Sequence, residues 1–263
     1  MIWNSGNPAG VPKASAQTKT DEHLSCRGSM SDLPEMHMLY TCPFCWKVRG
    51  LVEHIGLETE FIQVNPLKQK KQLAFADGWK KTPVWRDADG TVVVDSTPIM
   101  LHIDSKYNEG KLTTAGDEQA EARAAKWTEW LDAHLSKATI PILYGSLFSA
   151  LRTTTRVSKL EKFGFFSKRL YAWMGFPIMW GFIARKRVKK DGRSPKQLWH
   201  DLLDEWCGEI GHAQFFGGGS PDLVDFIAFG YMRSISPYPQ FSQLRDHKAG
   251  FDWYQRVEAT LQA

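Results

Sequence analysis

A Cys-Pro-Phe-Cys run, Cys42 to Cys45, stands between a short apolar stretch, Met36–Tyr40, and a segment with helical spacing, Pro43–His54, that Gly56 closes. That order constrains the chain more than any bulk property. A strand feeding a helix start leaves the first cysteine beside amides with no partner, and these amides and the positive end of the helix dipole favour an anion. Cys42 is therefore expected to ionise near neutral pH, with Lys47 and Arg49 adding positive charge. Cys45, one turn inside, is expected to be buried and less acidic, yet close enough to resolve a mixed disulfide formed at Cys42. Pro43 at the first helical position needs no amide partner. A structural zinc site would need a second close pair of ligands, which Cys207 and the scattered His102, His134, His200 and His212 do not supply, so no metal is expected. Two inert cysteines are the plainer alternative; the strand, Cys, Pro and helix order speaks for redox use.

The flanking pattern predicts how this motif is housed. Glu60–Val64 alternates as a second strand, Leu67–Ala76 suits a helix ended by Gly78, and Pro83–Trp85 with Thr91–Val94 reads as a hairpin. A third helix is expected over about Thr97–Tyr107. The order βαβαββα, with the first two strands parallel across a helix, fits an α/β thioredoxin-like domain over residues 35–107. Residues 108–116 read as a linker. From Asp117 the apolar period becomes 3.6, with Trp127, Trp130, Leu131, His134 and Leu135 on one helix face, so residues 117–263 are expected to be all-α. Later helices are predicted over Gln197–Ile210, Leu223–Ser234 and Phe251–Leu261.

Composition narrows the class. With 43% hydrophobic and 24% charged residues, the 263-residue chain reads as soluble and globular, with length enough for two modest cores. Its 33 basic and 29 acidic residues are interleaved, which gives no reason to expect a nucleic-acid partner. Cys26, Cys42, Cys45 and Cys207 include one close pair and follow no apolar leader, so a reducing, cytoplasmic setting is expected. Residues 1–34, rich in Ser, Thr, Gly and Pro without an apolar period, read as a disordered arm, and Met30 is an alternative translation start.

Cys42-Pro43-Phe44-Cys45, Thr82-Pro83 and Asp95-Ser96 resemble the glutathione site shared by glutaredoxins and glutathione transferases. The resemblance implies that Pro83 is cis and faces the active cysteine, and that the Thr82 backbone pairs with the cysteinyl part of glutathione. It implies further that Asp95 and Ser96 hold the γ-glutamyl group at the start of the third helix, where a plain capping role stays open. Lys80 and Lys81 would reach the glycine carboxylate. Phe216-Gly217-Gly218 and Asp222–Phe226 resemble the capping box of the transferase helical domain, with Asp222 as N-cap and Asp225 three residues on.

Over residues 36 to 261 the ordered blocks resemble the membrane-associated prostaglandin E synthase type two family. These blocks also include Lys47-Val48-Arg49, Val64-Asn65-Pro66, Lys162-Phe163-Gly164, Tyr171, Met174 and Trp253–Glu258. The resemblance implies a glutathione-binding homodimer whose cysteine serves thiol transfer to a disulfide or hydrophobic electrophilic substrate, or endoperoxide isomerisation, with haem as a further ligand. Phe44 would shape the acceptor site. Tyr40 lies about one residue nearer the cysteine than the family's tyrosine. A non-catalytic glutathione-binding scaffold is the competing class. Leu170–Ala184, Trp- and Phe-rich, precedes the basic run Arg185–Lys190, which invites peripheral membrane contact over 170–190. Broken by Gly175, Pro177 and Gly181, it falls short of the about 20 apolar residues of a spanning helix.

Overall fold

In the computed structural model, the described residues are 32–66, 68–113, 116–145 and 192–262, with Thr153 and Lys186 as isolated positions. The amino-terminal arm up to residue 31 and the 170–190 stretch, apart from Lys186, lie outside them.

Strand β1 (Glu35–Met38) pairs in parallel with β2 (Glu60–Gln63) across helix α1 (Pro43–His54). A short α2 (Gln69–Gln72) leads to the hairpin of β3 (Val84–Arg86) and β4 (Val92–Val94), and β3 runs antiparallel to β1. The sheet order is β2-β1-β3-β4, and α3 (Ser96–Tyr107) follows. This is the thioredoxin-like arrangement that the pattern predicted.

Where the boundaries differ, the cause is local. The expected helix over Leu67–Ala76 shrinks to α2 because Gln69-Lys70-Lys71-Gln72 buries no residue, and a helix with no packed face gains little in water. At the other end of the chain, the last helix begins three residues early, since the His247 ring caps it by accepting from the Gly250 amide at 3.1 Å.

The remaining named elements are helical. Asp117 caps α4 (Glu118–Trp130), which passes through a π turn, Leu131–Leu135, into α5 (Ser136–Tyr144). Then come α6 (Pro195–Ile210), α7 (Leu223–Arg233), a 3-10 turn at Pro239–Phe241, α8 (Ser242–Arg245) and α9 (Lys248–Glu258). Of the face read from the sequence, Trp127, Leu131 and Leu135 are buried, but His134 is exposed because the π turn shifts the register.

Helix α7 is the centre of the core. Leu223 to Met232 are all buried, as a helix apolar on every side should be. One cluster joins Met36, Val48 and Trp85 from the sheet layer to Trp206, Phe226 and Tyr254 from the helices. Helix α1 lies against α7, and their approach is set by glycine: a Cβ on Gly230 would come within 2.6 Å of the Lys47 Cβ and closer still to its backbone. The connection after α3 is tied down as well. The buried Asp104 carboxylate accepts from the Asn108 side chain at 2.7 Å and the Leu112 amide at 3.2 Å.

Candidate functional site

Cys42 occupies the N-cap of α1 in extended conformation, φ −89° and ψ 114°, and its side chain makes no capping bond. Pro43 follows at the first helical position. The preceding loop is held by the Trp46 indole, which donates to the Tyr40 carbonyl at 2.7 Å. Cys42 is half-buried, whereas Cys45 is inaccessible. A hydrogen bond from the Cys45 thiol holds the Cys42 thiol below its ordinary range, helped by the Cys45 and Phe44 backbone and opposed by burial. Burial pushes Cys45 well above that range, and its neighbour Cys42 adds to the push. Cys207 is a different kind of thiol, pushed up to about 11 by burial and by the Asp204 charge.

The other residues singled out in the sequence gather around this sulfur to different degrees. Thr82-Pro83 is a cis peptide, and the Cys42 Sγ lies 3.6 Å from the Thr82 carbonyl. Asp95 caps α3 with its carboxylate on the Ser96 amide at 2.7 Å, in the left-handed region at φ 69° that disfavours a side chain. Ser96 is buried, with its hydroxyl 3.5 Å from the same carboxylate oxygen. Capping is thus realised at Asp95, and the carboxylate itself stays exposed. Lys80 and Lys81 are exposed, the latter over the Trp79 ring.

The two cations expected to support the thiol sit differently. Arg49 pairs with Glu53 at 2.6 Å and lies over the rings of Tyr40, Trp46 and Phe61, so its charge is spent on its own helix face. Lys47 is not a solvated neighbour of the thiol but fully buried. Its ammonium donates to Thr97 Oγ1 at 2.8 Å and to Asp132 Oδ1 at 3.3 Å, and Tyr231 donates to the same Asp132 oxygen. Burial lowers the Lys47 pKa, and the charges of Asp132, Asp95 and Cys42 work the other way. The Phe44 ring meets Tyr231 edge-on at 5.6 Å. Sequence reasoning missed Asp132 and Tyr231 altogether; the one signal was that Phe44, Lys47 and Leu51 share a second face of α1, opposite the sheet.

Among the described residues, no group of three or more His, Cys, Asp or Glu side chains is arranged to hold a metal ion. No described helix is long and apolar enough to cross a membrane. A groove of about 500 Å³, lined by Thr97, Leu101, Leu112, Ala124 and Val224 among others, does not include Cys42, Thr82 or Asp95.

Residues 41–106 match the family described as glutathione S-transferase, N-terminal domain. Over that stretch the chain is similar to the amino-terminal domain of that family. The chain is 24% identical to prostaglandin E synthase 2 of Danio rerio, over 86% of this chain and 71% of that protein. The Mus musculus counterpart is 21% identical, over 86% and 70%. Among solved structures, a glutathione S-transferase from Rhodospirillum rubrum F11 aligns at TM-score 0.61 and 18% identity, covering 86% of this chain and 88% of that one. Glutathione S-transferase-I bound with lactoylglutathione aligns at 0.60 and 14%, covering 87% and 98%. At such identities the structures establish the transferase fold of this chain.

Proposed function

We propose that the protein is a glutathione-dependent thiol transferase with the Cys42 thiolate as nucleophile. The observation that carries this reading is the pairing of an accessible, acidified Cys42 with a buried Cys45 at an uncapped helix start beside Thr82-Pro83. Glutathione is a consumed reductant here. The residues that would hold it are the Thr82 backbone beside Pro83, the Asp95 carboxylate for its ammonium group, and the amides of the first turn of α3 with Ser96 for its γ-glutamyl carboxylate. Phe44 would form the apolar wall for the second substrate.

In this scheme the Cys42 sulfur attacks one sulfur of a disulfide, and the other leaves with the bond's electron pair and takes a proton from water. The mixed disulfide at Cys42 is then cleared by an incoming thiolate or by Cys45. Cys45 starts as the poorer nucleophile, being buried and protonated, so a route with Cys42 alone is expected to persist in Cys45→Ser.

Kinship with prostaglandin E synthase 2 supports a second reading, in which the same sulfur isomerises an endoperoxide. Haem would be a further ligand in this second reading. His37, His54, His102, His200 and His247 each hydrogen-bond to groups other than Cys42, so none of these five is proposed to hold it. The deciding experiment is a panel of hydroxyethyl disulfide, chlorodinitrobenzene and peroxide substrates run with glutathione. Turnover of the disulfide that vanishes in Cys42→Ser supports thiol transfer; glutathione binding with silence on every substrate would instead make the protein a non-catalytic binding scaffold.

A further inference from the structure

The helical layer brings to the Cys42 end of α1 a carboxylate with one oxygen engaged and one free. Asp132 sits in the π turn between α4 and α5, a feature often found where a helix is adapted to function. Its Oδ1 takes the hydrogen bonds from Lys47 and Tyr231, while Oδ2 accepts none from any described residue. The burial of the two partners is opposite: the Lys47 side chain is 0% exposed and that of Asp132 is 36% exposed. An ion pair with its cation sealed in the core and its anion at the surface presents a negative end to whatever approaches.

What approaches is set by the surroundings. Phe44, inside the Cys-Pro-Phe-Cys run, meets the ring of Tyr231, the residue that fixes Asp132. The charges of Cys42 and Asp95 are close enough to bear on both Lys47 and Tyr231. Among the described residues, these contacts and charges bring together Cys42, Cys45 and Lys47 from α1 and its cap, Asp95 from the start of α3, Asp132 from the π turn and Tyr231 from α7. The cation that pairs with Asp132, Lys47, is buried, while the exposed Lys80 and Lys81 lie just before Thr82.

We infer that Asp132 is a specificity-determining residue for the second substrate, favouring disulfides that carry a cationic group beside the reacting sulfur and working against anionic ones. The inference rests on the thiol-transfer reading of Cys42 and names the substrate class for that site. Each turnover consumes one disulfide and two glutathione thiols. The Cys42 thiolate displaces one half of the disulfide as a thiol, a first glutathione thiolate frees Cys42 by taking up the other half, and a second releases that half as oxidised glutathione forms.

The test uses the full chain with glutathione and three short disulfides that differ in charge: cystamine, bis(2-hydroxyethyl) disulfide and dithiodiglycolate. Each kcat/KM is divided by the uncatalysed rate with glutathione alone, which removes the intrinsic reactivity of the disulfide. The wild type is expected to prefer cystamine over dithiodiglycolate by about tenfold or more, the effect of one partly solvated charge at contact range. Asp132→Asn should bring the three within about twofold of one another and move the neutral disulfide least, whereas Asp132→Glu should keep the order. A role confined to folding would lower all three rates in proportion, and that result, or an unchanged order in Asp132→Asn, overturns the inference. Should Asp132→Asn not fold, wild-type enzyme at rising salt gives the answer, because screening compresses an electrostatic preference and leaves the neutral disulfide fixed; a preference indifferent to salt overturns it. Wild type that turns over no disulfide removes the Cys42 reading and this inference with it, while turnover without charge order removes the Asp132 assignment alone.

Discussion

The starts of α7 and α1 solve the same backbone problem in opposite ways. At α7 the carboxylates close every opening: Asp222 accepts from the Val224 and Asp225 amides at 2.9 and 3.1 Å. Asp225 in turn accepts from the amides of Asp222, Phe216 and Gly217 and from the Trp253 indole, all within 3.2 Å. At α1 the cap is a thiol that bonds no amide of its helix, and a proline stands next to it. A helix start sealed by two buried acids is a fixed point of the fold, and one left to a half-buried sulfur keeps its amides free to steady a negative charge.

The largest expected effect of that contrast is chemical. Cys42→Ser should lower glutathione-dependent disulfide reduction by about a thousandfold or more while leaving the melting temperature in place. Retained activity would show that the open helix start is as purely structural as the sealed one. Next comes the sealed end itself. Asp225→Ala strands several buried donors at once and should cost about 3–5 kcal/mol in urea unfolding, with no change in the rate of Cys42 alkylation in the folded protein.

A smaller effect separates the two ends by pH. Burial, with the Asp225 charge beside it, pushes the Asp222 carboxyl up to about 7 from its ordinary 3.8. The folded state thus holds this proton more tightly than the unfolded chain does. Its contribution to stability is full below about 3.8 and is lost as pH rises through about 7. Wild type should lose at most a few kcal/mol across that window, and Asp222→Asn, an equally good cap without the charge, should lose less, the remainder coming from Asp225, which burial also raises. Denaturant midpoints measured from acid to neutral pH would reveal either shape. The smallest effect is at the thiol. Cys45→Ala removes the hydrogen bond that contributes most to the acidity of Cys42, so the midpoint of its pH-dependent alkylation should rise. An unmoved midpoint would assign that acidity to the helix start alone.

Much of this architecture is written locally, and those parts were legible. The parallel β1 and β2 follow from a helix between two short strands, the α4 boundary from Asp117, and the α7 cap from Asp222 and Asp225, all within a few residues of one another. The Cys42, Cys45, Thr82 and Pro83 group was also readable, through the motif and its resemblance. What stayed hidden is set by distance along the chain. Lys47 and Asp132 are 85 positions apart, and the face that Lys47 shares with Phe44 and Leu51 is a faint signal against the ordinary reading of a helix lysine as a surface charge. Arg49 misled for the same reason, as neither Glu53 nor the three rings beneath it betray the geometry that ties it down. The π turn is equally silent, because Trp127, Trp130, Leu131, His134 and Leu135 read in sequence as an ordinary helical face.

The crossing of α1 over α7 carries a consequence for anyone recombining such chains. Gly230 leaves no volume for even a methyl group above Lys47, so the two halves meet at a hinge pin without play. A chimera that swaps in a foreign first half must bring a matching partner for position 230, or the graft will seat askew and the thiol will be misaimed before any chemistry begins.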